Sequence, residues 1–212
     1  MEKKLVVKSS VKDENLIEKR REQMIRGAVK LFRKKGFHRA TTREIAKEAG
    51  FSIGTLYEYI RTKEDVLYLV CDNIYNKVLN RLNGSLDQEG TVEGIRLAIA
   101  KYFHLIDNMS DEFLVMYQES KSLPKDALGY VLQKEMEMVA LFENLFKTCA
   151  RSGELRITDE ELRIAANHIV VQGQMWAFRR WAFDKDMTIE DYIRIQTDQF
   201  LNGIVREREE IR

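Results

Sequence analysis

A single proline, Pro124, interrupts 212 residues, and only 11 glycines accompany it. Sheets joined by tight turns need many more of both, because Gly and Pro supply turn dihedrals that other residues adopt at a cost. Long helices need neither. The apolar residues agree with helix: Ile17, Met24, Ile25, Ala28, Val29 and Phe32 recur at three- and four-residue steps, which is one face of an α-helix. No strand-length alternation and no internal repeat occurs. The expected fold class is all-α.

Starts and stops divide the chain further. The first helix runs from about Asp13 to Lys35, with Gly36 as a left-handed cap. Thr41-Thr42-Arg43-Glu44 reads as a capping box, in which a hydroxyl and a carboxylate three residues apart satisfy each other's backbone amides. The helix it opens carries Ile45, Ala46 and Ala49 and ends at Gly50. Ser52 can cap a third helix over 53–60, with Leu56 and Ile60 inward. Thr62-Lys63-Glu64-Asp65 caps a fourth, with Val66, Leu67, Val70, Ile74 and Leu82 as its stripe. Residues 83–90, Asn-Gly-Ser-Leu-Asp-Gln-Glu-Gly, form a linker candidate, and further helices are expected at roughly 91–109, 111–121, 124–151, 158–183 and 188–208. The domain expectation is a mobile basic arm over 1–12, a three-helix helix-turn-helix domain with its connecting helix over 13–82, and a larger helical body over 83–212.

Charge follows the same division. Residues 1–82 hold 19 Lys and Arg against 11 Asp and Glu, a net +8, while 83–212 carry −7. A basic head on an acidic body suits a polyanionic partner for the head alone, although a solvated basic face has the same composition. Cys71 and Cys149 lie far apart in partly apolar helical segments and read as buried free thiols. The apolar run after Lys3-Lys4 is too short for a signal peptide, and no stretch is long enough to span a membrane, so the expected location is the cytoplasm. His38, His104 and His168 are scattered, with no carboxylate or cysteine at metal-ligand spacing, no Gly-rich phosphate loop and no nucleophile elbow. Neither metal, nor cofactor, nor enzymatic activity is expected.

The informative stretch is Thr42 to Lys63: helix, a turn at Gly50-Phe51-Ser52, and a short second helix. Small Ala46 and Ala49 permit a close crossing. Outward positions of the second helix are Ile53, Gly54, Thr55, Tyr57, Glu58 and Tyr59. The hydroxyls of Ser52, Thr55, Tyr57 and Tyr59 can donate to phosphates or touch base edges, and Lys63 adds charge. The run Phe32…Gly36-Phe37…Thr41-Thr42-Arg43-Glu44-Ile45-Ala46-Lys47-Glu48-Ala49-Gly50-Phe51-Ser52-Ile53-Gly54-Thr55-Leu56-Tyr57-Glu58-Tyr59-Ile60…Lys63-Glu64 resembles the DNA-binding domain of the tetracycline-repressor family over about residues 15–75. The resemblance implies that Ile53–Ile60 is the recognition helix. It implies that Thr42, Tyr57, Tyr59 and Lys63 hold phosphates and that Ile53, Gly54 and Thr55 face bases, with Arg43 and Ser52 beside them. Ile60 in place of the usual Phe, and an acid at Glu58, are departures from the family pattern.

The body carries Met and aromatic residues at helical spacing, which are ordinarily core. In tetracycline-repressor relatives the corresponding helices surround a cavity, and the resemblance points to Phe103, Phe113, Tyr117, Phe142, Phe146 and Trp176 as its lining. The segments Tyr117–Pro124 and Trp176–Trp181 look, more loosely, like the branch that controls acyl-CoA metabolism. Arg179 and Arg180 could meet a ligand phosphate or carboxylate, but stacking on Trp176 or pairing with Asp184 or Asp186 is the favoured alternative. The last two helices pair across a two-fold axis in this family. The expected partners are therefore a palindromic DNA operator, a second copy of the chain, and a small apolar effector, an acyl-CoA or fatty acid, that releases the DNA. The competing expectation is a helical binding or scaffold protein whose basic head meets an acidic protein or a membrane surface.

Overall fold

A computed structural model describes residues 7–83, 90–183 and 185–202. Among them are nine α-helices and no sheet: α1 (Glu14–Lys35), α2 (Thr42–Glu48), α3 (Ile53–Tyr57), α4 (Lys63–Asn83), α5 (Val92–Asn108), α6 (Ser110–Glu119), α7 (Lys125–Arg151), α8 (Asp159–Arg179) and α9 (Ile189–Asn202). Single 3-10 turns follow α6 at Ser120–Ser122 and α8 at Arg180–Ala182. The all-α expectation holds. Residues 84–89 of the expected 83–90 linker, the helical continuation past Asn202 and any pairing of Asp184 lie outside the described residues.

Capping explains the boundaries. Asp13 accepts from the Leu16 amide at 3.1 Å and starts α1, which ends where Gly36 takes φ 82°. Thr41 opens α2 with the full reciprocal box, and Thr158 does the same for α8 with Glu161. At α4, Asp65 accepts from the Arg61 and Thr62 amides while Thr62 accepts from Asp65 N–H. Each such cap is worth about 1 kcal/mol. The boundary that matters for the helix-turn-helix differs from expectation. The third helix stops at Tyr57 instead of reaching residue 60, because Glu58, Tyr59 and Ile60 tighten into turns and bury Tyr59 and Ile60.

Packing divides the described residues into two compact units, one within Met1–Asn76 and Asp111–Lys134, the other within Lys77–Ser110 and Glu135–Arg212. In the first, the inward face of α1 (Ile17, Met24, Ile25, Ala28, Val29, Phe32) is buried against α2 and its neighbours. A β-carbon on Gly27 would sit 3.1 Å from Ala49 N and 3.3 Å from Glu48 C, so α1 and α2 touch backbone to backbone there. In the second unit α5 packs on α8 and α9. The crossing is tightest at Gly173, where a β-carbon would lie 2.7 Å from both Tyr102 Cε1 and Ile106 Cδ1. Cys71 and Cys149 are free and buried, and burial pushes their thiols up to about 12 and about 11. No helix among the described residues is long and apolar enough to cross a membrane.

Candidate nucleic-acid interface

Seven- and five-residue helices are too short to persist on propensity alone, so α2 and α3 are held from outside. Glu44 closes the capping box and also meets Lys35 of α1, whose Nζ donates to both carboxylate oxygens at 2.6 and 2.7 Å. The Lys35 hydrogen bond, with those from Thr41, holds the Glu44 carboxyl down at about 2. Lys30 of α1 pairs with Glu48 at the other end of α2. Gly50, at φ 79°, turns the chain, and Phe51 N–H returns to Ala46 O at 2.8 Å. The Arg20 guanidinium covers the Phe51 ring at 4.9 Å. Ser52 then caps α3 by accepting from Thr55 N–H at 3.0 Å.

Two hydroxyl pairs are the chemistry of this region. Thr42 Oγ1 and Tyr57 OH lie 3.1 Å apart, joining the start of α2 to the end of α3, and Ser52 Oγ and Thr55 Oγ1 lie 3.0 Å apart. Tyr57 is 51% exposed. Arg43, Ser52 and Gly54 are exposed, and Thr42, Ile53 and Thr55 are half-buried. A β-carbon on Gly54 would meet only Ser52 Oγ, at 3.7 Å, so internal packing does not require glycine there. Seven of the nine residues expected at DNA thus lie on α2, α3 and the turn between them, with outward atoms.

The other two are placed differently. Tyr59 is 3% exposed, its ring drawn into the packing by the early end of α3, and it is not among the outward hydroxyls. Lys63 opens α4 and spends its ammonium within the protein: Nζ donates to Phe37 O at 2.8 Å, Ala40 O at 3.1 Å and His38 O at 3.3 Å, and lies 4.2 Å above the Phe37 ring. An ammonium has three protons, and three carbonyls take them.

Sequence reasoning missed what fixes the far edge. Residues 7–10 dock: Ser10 N–H and Ser9 Oγ donate to Glu58 O at 2.8 and 2.9 Å, and Val7 is buried. Arg21 Nη2 donates to Val7 O at 2.5 Å and to Tyr59 O at 3.4 Å. Desolvation outweighs the acids around Arg21 and lowers its pKa below the ordinary range. No local pattern marks an arginine that will bridge residues 14 and 38 positions away.

The residues expected to line a ligand cavity fall in two groups. Phe103, Phe142, Phe146 and Trp176 are at most 1% exposed and share the second unit, where Tyr102 and Tyr192 join them: Tyr102 lies 6.0 Å from Phe103 and 5.4 Å from Phe142, and Tyr192 lies 5.7 Å from Phe103 and 4.9 Å from Trp176. Trp176 Nε1 donates to Asp107 Oδ1 at 2.7 Å. Phe113 and Tyr117 belong to the first unit, on α6; Phe113 is buried and Tyr117 is 64% exposed. Arg180 stacks on Trp176 at 3.9 Å and Arg179 on Trp181 at 5.1 Å. His104 and His168 are surface residues, and no cluster of His, Cys, Asp or Glu able to hold a metal occurs among the described residues.

Known proteins share both halves of this architecture. Residues 24–68 match the bacterial regulatory proteins of the tetR family, and residues 88–204 match the tetracyclin repressor-like C-terminal domain. The transcriptional regulator HbdR of Aromatoleum sp. strain CIB is 31% identical over 190 residues, covering 88% of this chain and 81% of its own. Among solved structures, a tetR-family regulatory protein from Rhodococcus RHA1 superimposes with a TM-score of 0.77 at 20% identity, over 87% of this chain and 96% of that one. AibR, solved with isovaleryl coenzyme A and operator DNA, gives 0.70 at 20% identity over 85% and 97%. The chain belongs to the tetracycline-repressor family: it is a DNA-binding transcriptional regulator and not an enzyme.

Proposed function

We propose that this regulator is a repressor that binds a palindromic operator as a homodimer and is released by a largely apolar, acyl-CoA-like effector. The observation that carries the DNA reading is the pair of hydroxyl couples, Thr42–Tyr57 and Ser52–Thr55, standing on two short capped helices of a chain segment with net charge +8. In the binding reaction Thr42, Arg43, Ser52 and Tyr57 hold phosphates, and Ile53, Gly54 and Thr55 face bases; the open space at Gly54 leaves room for DNA to approach the backbone. Residues 13–82 act as the reading head and 83–212 as the effector-binding and dimerising body. Dimerisation is supported by α8, whose Ile164 and Val171 are each 58% exposed at seven-residue spacing. A symmetric dimer presents two heads to two half-sites one helical turn apart. Such a regulator works in the cytoplasm, where its operator is.

The effector class is supported by the aromatic body and by AibR, solved with an acyl coenzyme A. Further support comes from a fatty acid metabolism regulator of Bacillus subtilis that is 32% identical over 85 residues. Within this reading Phe103, Phe142, Phe146 and Trp176 line the apolar site. Effector releases DNA only by preferring the arrangement of heads that does not fit the operator, and a coupling of about 1–3 kcal/mol is enough.

Fluorescence anisotropy on duplex from the upstream region of the chain's own gene tests this. The protein should prefer that duplex over random sequence, with an affinity that falls steeply with salt, and isovaleryl- or palmitoyl-CoA should weaken the complex. Tyr57→Phe should weaken binding to all duplexes alike, and Thr55→Ala should change preference at one base pair. Equal affinity for every duplex, or indifference to both variants, would overturn the reading of the head; indifference to every acyl-CoA would overturn the effector class.

A further inference from the structure

The turn between α1 and α2, Gly36 to Ala40, is five residues long and carries the N-cap Thr41 directly behind it, so its conformation sets the direction of α2. It makes one backbone hydrogen bond of its own beyond the α1 cap, Ala40 N–H to Phe37 O at 3.2 Å. The remainder of its hold comes from two side chains remote in sequence. On one side Lys63 gathers the carbonyls of Phe37, His38 and Ala40. On the other, Glu119 at the end of α6 accepts from Phe37 N–H at 3.1 Å, with Oε1 also 3.7 Å from where a β-carbon of Gly36 would stand. Phe37 is therefore gripped at both its backbone groups. Its ring, 2% exposed, is set edge-on against Phe32 at 5.2 Å. Two weaker contacts flank the grip: Ser122 Oγ lies 3.3 Å from His38 Nε2, and Arg33 pairs with Asp111 at 3.1 Å on the surface.

We propose that Glu119 is a positioning residue for DNA binding: its carboxylate, through Phe37 N–H, fixes the turn that aims α2 and hence the hydroxyl pairs of α2 and α3. This gives the segment Tyr117–Pro124 a task that the hydroxyl interface leaves unassigned. α6 follows α5 with only Met109 between them, and the 3-10 turn at Ser120–Ser122 brings Ser122 up to His38 immediately after the Glu119 contact. The inference rests on the proposed reading of the head as the operator-binding element.

The sign of the effect separates positioning from charge. Glu119 is an acid in the basic unit, so as a charge it opposes DNA, and removing it would strengthen binding. As a positioning acceptor it supports binding, and removing it weakens binding. Operator affinity is measured by anisotropy at several salt concentrations for the full-length wild type, Glu119→Ala, Glu119→Gln and Glu119→Asp. The expected loss in E119A is about tenfold, the weight of one hydrogen bond to a charged group, with an unchanged salt slope. E119Q keeps an acceptor at the same reach and binds at least as tightly as wild type; E119D keeps the charge, falls short of Phe37 and behaves like E119A.

Amide exchange on the DNA-free protein supplies a second readout. The Phe37 amide and those of α2 exchange faster in E119A and E119D than in wild type and E119Q. Wild-type or tighter operator binding by both E119A and E119D, or unchanged exchange at Phe37, overturns the proposal. Failure of the wild type itself to prefer its operator overturns the functional reading instead, and the exchange comparison still decides the role of Glu119. If E119A does not fold, the E119D and E119Q pair decides it alone.

Discussion

Each of the two units is held together internally by a different kind of force. In the first, the short helices α2 and α3 are held by side chains that reach backbone groups: Thr41, Ser52, Asp65, Lys63, Arg21 and Glu119 each cap a helix end or grip a turn. In the second, long helices are joined by rings, with Tyr102, Phe103, Phe142, Phe146, Trp176 and Tyr192 in one connected cluster. Polar bonds are directional and specify where a short helix points. The hydrophobic burial of rings is non-directional and proportional to the area removed from water, so it supplies bulk stability to a body.

The largest expected effect lies in the ring cluster. Phe142→Ala removes a fully buried ring between Tyr102 and Phe146 and should destabilise the chain by about 3–5 kcal/mol in chemical denaturation. A loss below 1 kcal/mol would mean that the body is loosely packed, and the contrast between units would fail. Next comes Gly173→Ala, whose new methyl meets Tyr102, Phe103 and Ile106 within 3.0 Å. Overpacking at such a site costs about 1–3 kcal/mol, partly offset by alanine's better helix propensity. Tyr102 also donates to Val170 O at 3.1 Å one turn earlier on α8, so it has little room to yield.

In the head the effects are smaller but should appear in DNA binding as well. Thr41→Ala removes the hydroxyl that accepts from Glu44 N–H and donates to the Glu44 carboxylate, leaving only the Thr41 N–H half of the capping box, and should cost about 1 kcal/mol of stability, with a matching loss of operator affinity. Thr41→Ser should restore both. A stability loss without an affinity loss would show that α2 reforms on DNA regardless of its cap.

The smallest effect is electrostatic. The Glu44 carboxyl is held down from 4.5 to about 2, chiefly by Lys35. A carboxyl depressed on folding contributes stability that is fully present above its unfolded value and is lost as pH falls through its folded one. The contribution of Glu44 therefore holds above about pH 4.5 and fades between there and about pH 2. Carboxyl NMR titration reads this directly, and Lys35→Ala should move the Glu44 midpoint upward. A midpoint near 4.5 in the wild type would show that Lys35 and Thr41 do not engage it.

The number and order of helices were legible because their signals are local. Period 3.6 in Ile17–Phe32, the Thr41–Glu44 box, Ser52 and the glycines at 36 and 50 all act within four residues of themselves. The outward hydroxyls at Thr42, Ser52, Thr55 and Tyr57 were legible for the same reason. The burial of Tyr59 was not legible, because the length of α3 is set by what Leu56 and Ile60 pack against, not by its own pattern. Lys63 reads as a free cation, since nothing nearby in sequence shows that the carbonyls at 37, 38 and 40 lie within its reach. Tyr102 and Tyr192, spaced like any other core residues, give no sign that they link the body's rings.

By itself, then, the sequence determined the helices, their caps, the helix-turn-helix and the polarity of its outward face, all of which follow from interactions between residues a turn or two apart. Only the tertiary structure decided which side chains hold those helices in place: Glu119 on Phe37, Arg21 on Val7 and Tyr59, and Gly173 beneath Tyr102. The physical reason is loop closure. A contact across 82 residues is bought by the folding of everything between its ends, so no feature of either residue alone announces it.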